Sequence, residues 1–219
     1  MENLSATLQE ELNTEVVFSI GPLDFDETVV VTWIIMAVCA IGFWLLTRNL
    51  KVTNISRRQA AVEYAVTWLE NMLKDQVGEG AAPYVPYLFT VLVYLAVANI
   101  IGVFGFKPPT KSLNVTAMMA IMSIILVQIA HIRAHGALKW LKSFGNPINI
   151  LDLLTRPLSL CMRLFGNVLG AFVVMKLLEA VVPAILPAIF SLYFDFFDGI
   201  LQAYVFVFLT GLYLKEATE

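Results

Sequence analysis

Charge is scarce in this chain. Only 14% of its 219 residues are Asp, Glu, Lys or Arg, against 59% that are hydrophobic, more than a soluble domain of this length can bury. The chain is therefore read as an integral membrane protein. Positive charge is missing altogether at the start, where the first 27 residues hold seven Asp or Glu and no Lys or Arg. That excludes a secretory signal, which needs a basic start and a small-residue cleavage pattern, so this acidic arm is expected to stay attached. Cysteine is limited to Cys39 and Cys161, each inside an apolar run. Two cysteines in such places read as reduced, packed thiols and are too few for a disulfide framework or a zinc site. With a net charge of -3 and no basic stripe along any face, nucleic acid is not a partner. A Gly-rich phosphate loop, an internal repeat and a low-complexity segment are absent too.

What is present is a series of long apolar runs separated by short basic or turn-forming stretches. Residues 28–47, with Trp33 and Trp44 near the ends, are long enough to cross about 30 Å of hydrocarbon. Residues 48–83 open with Arg48, Lys51, Arg57 and Arg58, after which Ala61, Tyr64, Ala65, Trp68, Leu69 and Met72 recur at helical spacing. Such an amphipathic helix either lies at the membrane surface or packs on another subunit or on neighbouring segments. Gly78-Glu79-Gly80 and Pro83 end it, and residues 84–104 form a second crossing with Pro86 in the first turn. A short loop with Pro108-Pro109 follows. Asn114 is expected to cap the third crossing, 115–132, and a basic linker, 133–149, closes on Gly145-Asn146-Pro147. As helices at 1.5 Å per residue, 151–182 would be about 48 Å long and 188–213 about 39 Å. Both exceed the bilayer core, so a long, tilted hairpin turning between Pro183 and Pro187 is expected, with tilt, a bend at Pro157 or an interfacial portion taking up the excess.

The predicted fold is thus an all-α membrane protein with five transmembrane crossings plus an interfacial amphipathic helix. Segments 48–83 and 133–149 together hold eight Lys or Arg, whereas the N-terminal arm and the loop 105–114 hold only Lys107 and Lys111. This bias places the N-terminus outside and the C-terminus in the cytoplasm.

Within the apolar runs a few polar groups stand out, above all Arg163. Its charge is permanent, and inside a membrane it costs several kcal/mol, so such a residue usually marks a pathway or relay. The plainer reading is an ion pair within the chain. Asn167 and Gly170 follow at i+4 and i+7, and Ser159 precedes by a turn, giving one narrow face of small side chains around the cation. On the last helix Asp195, Asp198 and Gln202 form a second stripe. Folded back across the hairpin, Gln202 falls close to the depth of Arg163, and the two carboxylates lie nearer the outer surface. They either line a polar route inward or are solvated at the interface. Lys176 and Glu179 form a local i, i+3 pair, or Glu179 lines the same route. His131 and His135 have a spacing that suits a metal, yet without a carboxylate or thiol close by they read as interfacial side chains. No metal or cofactor is expected. Intramembrane proteolysis would need a Ser and a His together at depth, and neither His is there.

Three motifs carry a resemblance: Arg156-Pro157-Leu158-Ser159-Leu160-Cys161-Met162-Arg163-Leu164-Phe165-Gly166-Asn167, then Gly199-Ile200-Leu201-Gln202-Ala203-Tyr204-Val205-Phe206, and Leu113-Asn114-Val115-Thr116. Over roughly residues 80–215 the chain resembles subunit a of the rotary F-type ATP synthases, the stationary half of a membrane ion motor. The resemblance implies that Arg163 faces a ring of c subunits, each with one membrane-embedded carboxylate, and prevents ions from short-circuiting between two offset half-channels. It makes Asn167 and Gln202 the polar neighbours of Arg163. Asp195 matches a position, seven residues before the Gln, that is often acidic and helps form the outer half-channel. It further implies peripheral stalk b subunits and lipid as partners, H+ or Na+ as the translocated ion, a bacterial inner membrane as the location, and no catalysis by the chain itself. One departure stands out: nine residues after the Arg, where the family often has an acid or His, the chain has Phe172. The lining role then passes to Asp195, Asp198 or Glu179. A secondary transporter is the alternative from another class, but the paired Gly/Pro-interrupted segments it would need are missing. A structural scaffold leaves Arg163 unexplained.

Overall fold

The computed structural model describes residues 16–20, 23–48, 50, 56–104, 108–143, 145, 147–181, 190 and 192–219. It opens with two strands, β1 Val16–Ile20 and β2 Leu23–Asp26, paired antiparallel with Phe18 opposite Phe25 and Ile20 opposite Leu23. The acidic arm is thus partly a β-ribbon. The run Val16-Val17-Phe18 is β-branched and aromatic, which favours extended chain despite the surrounding acids.

Among the described residues seven α-helices follow: α1 Glu27–Thr47, α2 Arg57–Val77, α3 Val85–Ile100, α4 Leu113–His135, α5 Ala137–Ser143, α6 Pro147–Val181 and α7 Gly199–Thr218. Five spans among the described residues are long and apolar enough to cross a membrane: α1, Ala82–Ile100 containing α3, α4, the Pro147–Met175 part of α6, and Leu192–Thr218 containing α7. The chain is a multi-pass, all-α membrane protein apart from its short ribbon.

α1 buries only Thr28, Val31 and Ile35, and Trp33, Ile41, Trp44 and Leu45 are exposed. An apolar helix so bare is one that lipid or another chain must cover. In α2 the expected apolar face divides. Leu69, Met72, Leu73 and Val77 join the main core, while Tyr64 and Trp68 remain exposed. Gly78 ends this helix at φ +75°, a conformation that favours glycine, and its N–H bonds to the Lys74 carbonyl. The main core runs between α3, α4, α6 and α7 through Leu88, Leu95, Ile124, Val127, Leu160, Leu164, Phe206 and Leu214. Between α3 and α4 the Tyr87 hydroxyl and Ser123 Oγ lie 2.9 Å apart. Both cysteines are free thiols, and Cys161 is buried beside Thr116 Oγ1 at 3.6 Å.

Several boundaries differ from the sequence reading. α4 starts at Leu113, so its N-cap is Ser112 and not Asn114. The Ser112 carbonyl already accepts the Thr116 N–H, which fixes the first turn two residues earlier. The linker contains α5, folded back so that Trp140 Nε1 donates to Gln128 Oε1 at 2.8 Å. α6 begins at Pro147, because proline fits a first helical turn, and continues through Pro157 without a break. The last long helix begins as a wider π-helical segment, Leu192–Asp198, before the α-helical part at Gly199. Tyr193 stacks on Phe197 at 5.5 Å within it. Because a π turn holds more residues than an α turn, the offset between Asp195 and Asp198 differs from the regular stripe expected. The predicted turn between Pro183 and Pro187 lies outside the described residues.

Candidate functional site: an exposed arginine on a helix seam

Arg163 lies near the middle of the Pro147–Met175 span, and its side chain is exposed. Among the described residues it has no hydrogen bond or ion pair. Ser159, Met162, Gly166 and Gly170 are exposed with it, a continuous strip along α6. A Cβ added at Gly166 or Gly170 would meet nothing within 4 Å. Leu160 and Leu164, on the other side of the same turns, are buried in the core. The helix thus packs its apolar side inward and presents the small residues and the cation outward.

The carboxylates that the structure describes near the α6–α7 seam have other partners. Asn167 Nδ2 donates to Asp198 Oδ2 at 2.6 Å, one turn from Arg163. Of the two readings open for Asp198, solvated or turned inward, the geometry has it half-buried in the seam. Two turns from Arg163 in the other direction, Arg156 Nη2 bonds Glu216 Oε1 at 2.9 Å and lies 3.5 Å from Asp152 Oδ2. The Arg156 guanidinium also sits 4.9 Å from the centre of the Tyr213 ring. These two ties bracket Arg163 and join α6 to α7 above and below it.

The Asn167–Asp198 bond also sets the register. α6 and α7 run antiparallel, so stepping four residues back along α6 and four forward along α7 brings Arg163 level with Gln202. Gln202 is 5% exposed, and its Nε2 is buried without a hydrogen-bond partner. An unmade hydrogen bond of this kind costs about 1–3 kcal/mol, which a fold tolerates where the group is needed for something else. In this register Gln202 and Arg163 lie at similar depth, and among the described residues no bond joins them. The side chains of Glu179, Lys176 and Asp195 lie outside what the structure describes, so the Lys176–Glu179 pair and the direction of Asp195 are left as expectations.

His131 and His135 stack on each other at 4.8 Å at the end of α4. His131 faces a cleft of about 180 Å³ that it shares with Gln128, Trp140, Asp152, Arg156 and Glu216. This cleft lies at the end of the bundle that carries the basic segments.

Sequence reading missed a third polar locus. Thr110 Oγ1 donates to Asn99 Oδ1 at 2.8 Å, and Asn99 Nδ2 donates to the Gly199 carbonyl at 2.9 Å. Thr110 and Asn99 are both buried. This chain of bonds fastens the turn Pro109–Lys111 to α3 and to the start of α7, right beside Asp198. An Asn inside the apolar run Val97-Ala98-Asn99-Ile100 was the available signal, since a buried amide in a membrane span must find partners.

The family model described as ATP synthase A chain matches residues 29–215. ATP synthase subunit a 1 of Chlorobaculum parvum is 34% identical over 216 residues, 93% of each chain. ATP synthase subunit a of Moorella thermoacetica is 34% identical over 208 residues, covering 91% of this chain and 94% of that one. Subunit a 1 of Crocosphaera subtropica is 30% identical over 202 residues, 89% and 87% of the two chains. With five membrane-length apolar spans among the described residues, an arginine at mid-span that bonds to none of them, and a match across most of its length, the chain belongs to the family of ATP synthase subunit a, the non-catalytic membrane-sector subunit of that complex.

Proposed function

We propose that this subunit a carries ions to and from the carboxylates of a c-ring through two half-channels that Arg163 keeps apart. The observation that carries this reading is that Arg163 is exposed at mid-span with no counterion among the described residues. A cation in hydrocarbon is too costly to leave bare, and on this reading the negative charge that balances it comes from another chain. A ring of helices, each bringing one carboxylate past the strip Ser159, Gly166 and Gly170, supplies it. The small side chains let such a helix approach closely.

Ions from outside follow the Asp195 and Asp198 side of the seam, with Asn167 and, on this reading, Glu179 as further lining groups. They neutralise a ring carboxylate, which then moves into lipid and travels nearly a full turn. The ion leaves on the inner side, where Ser159 lies one turn from Arg163. Gln202, level with Arg163 and holding a free N–H donor, steadies the arriving carboxylate before the guanidinium takes it.

At about 4 Å and an effective dielectric near 20, the Arg–carboxylate pair is worth on the order of 4 kcal/mol. A membrane potential supplies about 2.3 kcal/mol per charge per 100 mV. The two are comparable, so the pair is made and broken at each step only if ion and arginine compete for the carboxylate. That competition turns ion flow into rotation and ATP synthesis. Peripheral stalk b subunits hold the chain still against the ring. The eight basic residues of segments 48–83 and 133–149 support a topology with these segments on the cytoplasmic side, the N-terminus outside and the C-terminus inside, in what this reading takes as a bacterial inner membrane. The half-channels as described serve H+ or Na+ alike.

Two results test this reading. In a variant without Cys39 and Cys161, Ser159→Cys should form a disulfide with a cysteine placed on the outer helix of the ring, whereas Ala120→Cys, buried between helices, should not. Equal cross-linking at both positions would remove the ring from the exposed strip. Asp198→Asn, which keeps a partner for Asn167 but loses the charge, should slow ion uptake from outside by about tenfold with assembly intact, measured as gradient-driven ATP synthesis in vesicles. Unaltered synthesis would take Asp198 out of the route.

A further inference from the structure

Two cavities adjoin where α4 packs on α6. One is the cleft of about 180 Å³ already described, at the end of the bundle that carries the basic segments, where headgroups and an interfacial Trp such as Trp140 belong. The other, about 290 Å³, is an apolar groove lined by Ile121, Ile125, Ile129 and Ile132 of α4 with Leu153 and Pro157 of α6. The four isoleucines form one stripe about 16 Å long, enough for most of an extended acyl chain. Gln128 and Leu153 border both cavities, so only these two side chains part the polar cleft from the apolar groove. A ligand that fits the pair has a small polar end and a long apolar one, which is the build of a membrane lipid.

Charge in the cleft selects the headgroup. Asp152 and Glu216 share one guanidinium, that of Arg156, at 3.5 and 2.9 Å. Lys215, next to Glu216 in the chain, pairs with Glu219 instead. Among the described residues lining the cleft, with His counted as neutral, two carboxylates thus face one cation and negative charge is in excess. The acids keep 49% and 61% of their side-chain surface exposed against 20% for Arg156, so the mouth of the cleft is acidic and the guanidinium lies behind it.

We propose that cleft and groove together bind one phospholipid whose headgroup ends in a primary ammonium, as in phosphatidylethanolamine, with the ammonium on Asp152 and Glu216 and one acyl chain in the isoleucine groove. The phosphate then comes beside His131, whose ring N–H can donate to it. A trimethylated headgroup has no N–H to offer the carboxylates, and an anionic one adds negative charge where it is already in excess. The inference is independent of the ion route proposed above.

The test uses the whole complex in phosphatidylcholine vesicles containing a trace of one photoreactive phospholipid, with a diazirine on its acyl chain and ethanolamine, choline or glycerol as its headgroup. Labelled residues are mapped by peptide mass spectrometry. Label on residues 121–132 of α4 and 153–157 of α6 should be about tenfold greater with ethanolamine than with choline, as one charge-assisted hydrogen bond would give, and least with glycerol. Asp152→Asn combined with Glu216→Gln keeps an acceptor for Arg156 and should abolish the preference while label from the choline lipid stays as in wild type. Ile125→Trp, which fills the groove without reaching the cleft, should lower label there from all three lipids. The headgroup comparison needs no variant, so it decides the matter even where the double substitution fails to assemble. Equal labelling of the groove by the three lipids, or strongest labelling by the glycerol lipid, would overturn the proposal. So would an ethanolamine preference that survives the double substitution in an assembled complex.

Discussion

Replacing Arg163 by Ala is expected to reduce gradient-driven ATP synthesis by roughly a thousandfold, the equivalent of losing an interaction of about 4 kcal/mol at each step. The variant should also leak ions passively once ATP hydrolysis is blocked. The chain itself should lose little stability, because the guanidinium is exposed and bonds to nothing among the described residues. This combination separates the proposed role from a structural one. An internal ion pair, once broken, leaves a stranded carboxylate and an unstable fold. Here the fold should persist and the coupling should not. ATP-driven pumping retained in vesicles containing Arg163→Ala would refute the assignment.

The next largest effect is expected at Gly199. A Cβ there would lie 2.9 Å from the Cβ of Asn99, closer than two such atoms can approach. The obstacle sits on a neighbouring helix and cannot swing aside as the end of a long side chain would. Gly199→Val forces α3 and α7 apart, costing about 1–3 kcal/mol in strain. The same displacement breaks the bond from Asn99 to the Gly199 carbonyl and strands Thr110, adding about 1 kcal/mol or more for each buried group left unpaired. The variant should therefore yield little assembled complex, measured as recovery with the ring after solubilisation. Gly166→Ala and Gly170→Ala provide the contrast, since open space surrounds both positions. Alanine there should leave the isolated subunit as stable as wild type, so any loss of function would report crowding against a partner. Normal assembly of Gly199→Val would show that the seam between α3 and α7 is looser than described.

The membrane helices were legible in the sequence because each is a long apolar run, and no soluble alternative can bury that many. Arg163, Asn167 and Gln202 were legible for the opposite reason: each is a polar group in a setting that penalises it. The depth match of Gln202 with Arg163 followed from helical rise alone, and the Asn167–Asp198 bond supplies the register for it. The Asn99–Thr110–Gly199 locus could not be read the same way. Asn99 is eleven residues from one partner and a hundred from the other, and its amide carries no sign of which helix it will meet. The π-helical start of the last span was hidden too, since its residues have the same apolar and aromatic pattern as an ordinary helix. At the N-terminus the count of acids outweighed the short β-branched stretch at Val16, and the ribbon went unread. Arg156 was visible only as part of a motif. That it ties α6 to Glu216, near the end of the chain, depends on how α7 lies against α6.

The account stands on an arginine whose counterion arrives on another chain, and a density map of the assembled complex in a membrane mimetic tests that most directly. The distance to measure runs from the Arg163 guanidinium to the nearest carboxylate oxygen. The account predicts a guanidinium turned toward the outer helices of the c-ring, with every carboxylate of its own chain, including Asp195 and Glu179, beyond ion-pairing distance. A guanidinium bonded to Asp195 or Asp198 and facing away from the ring would contradict it.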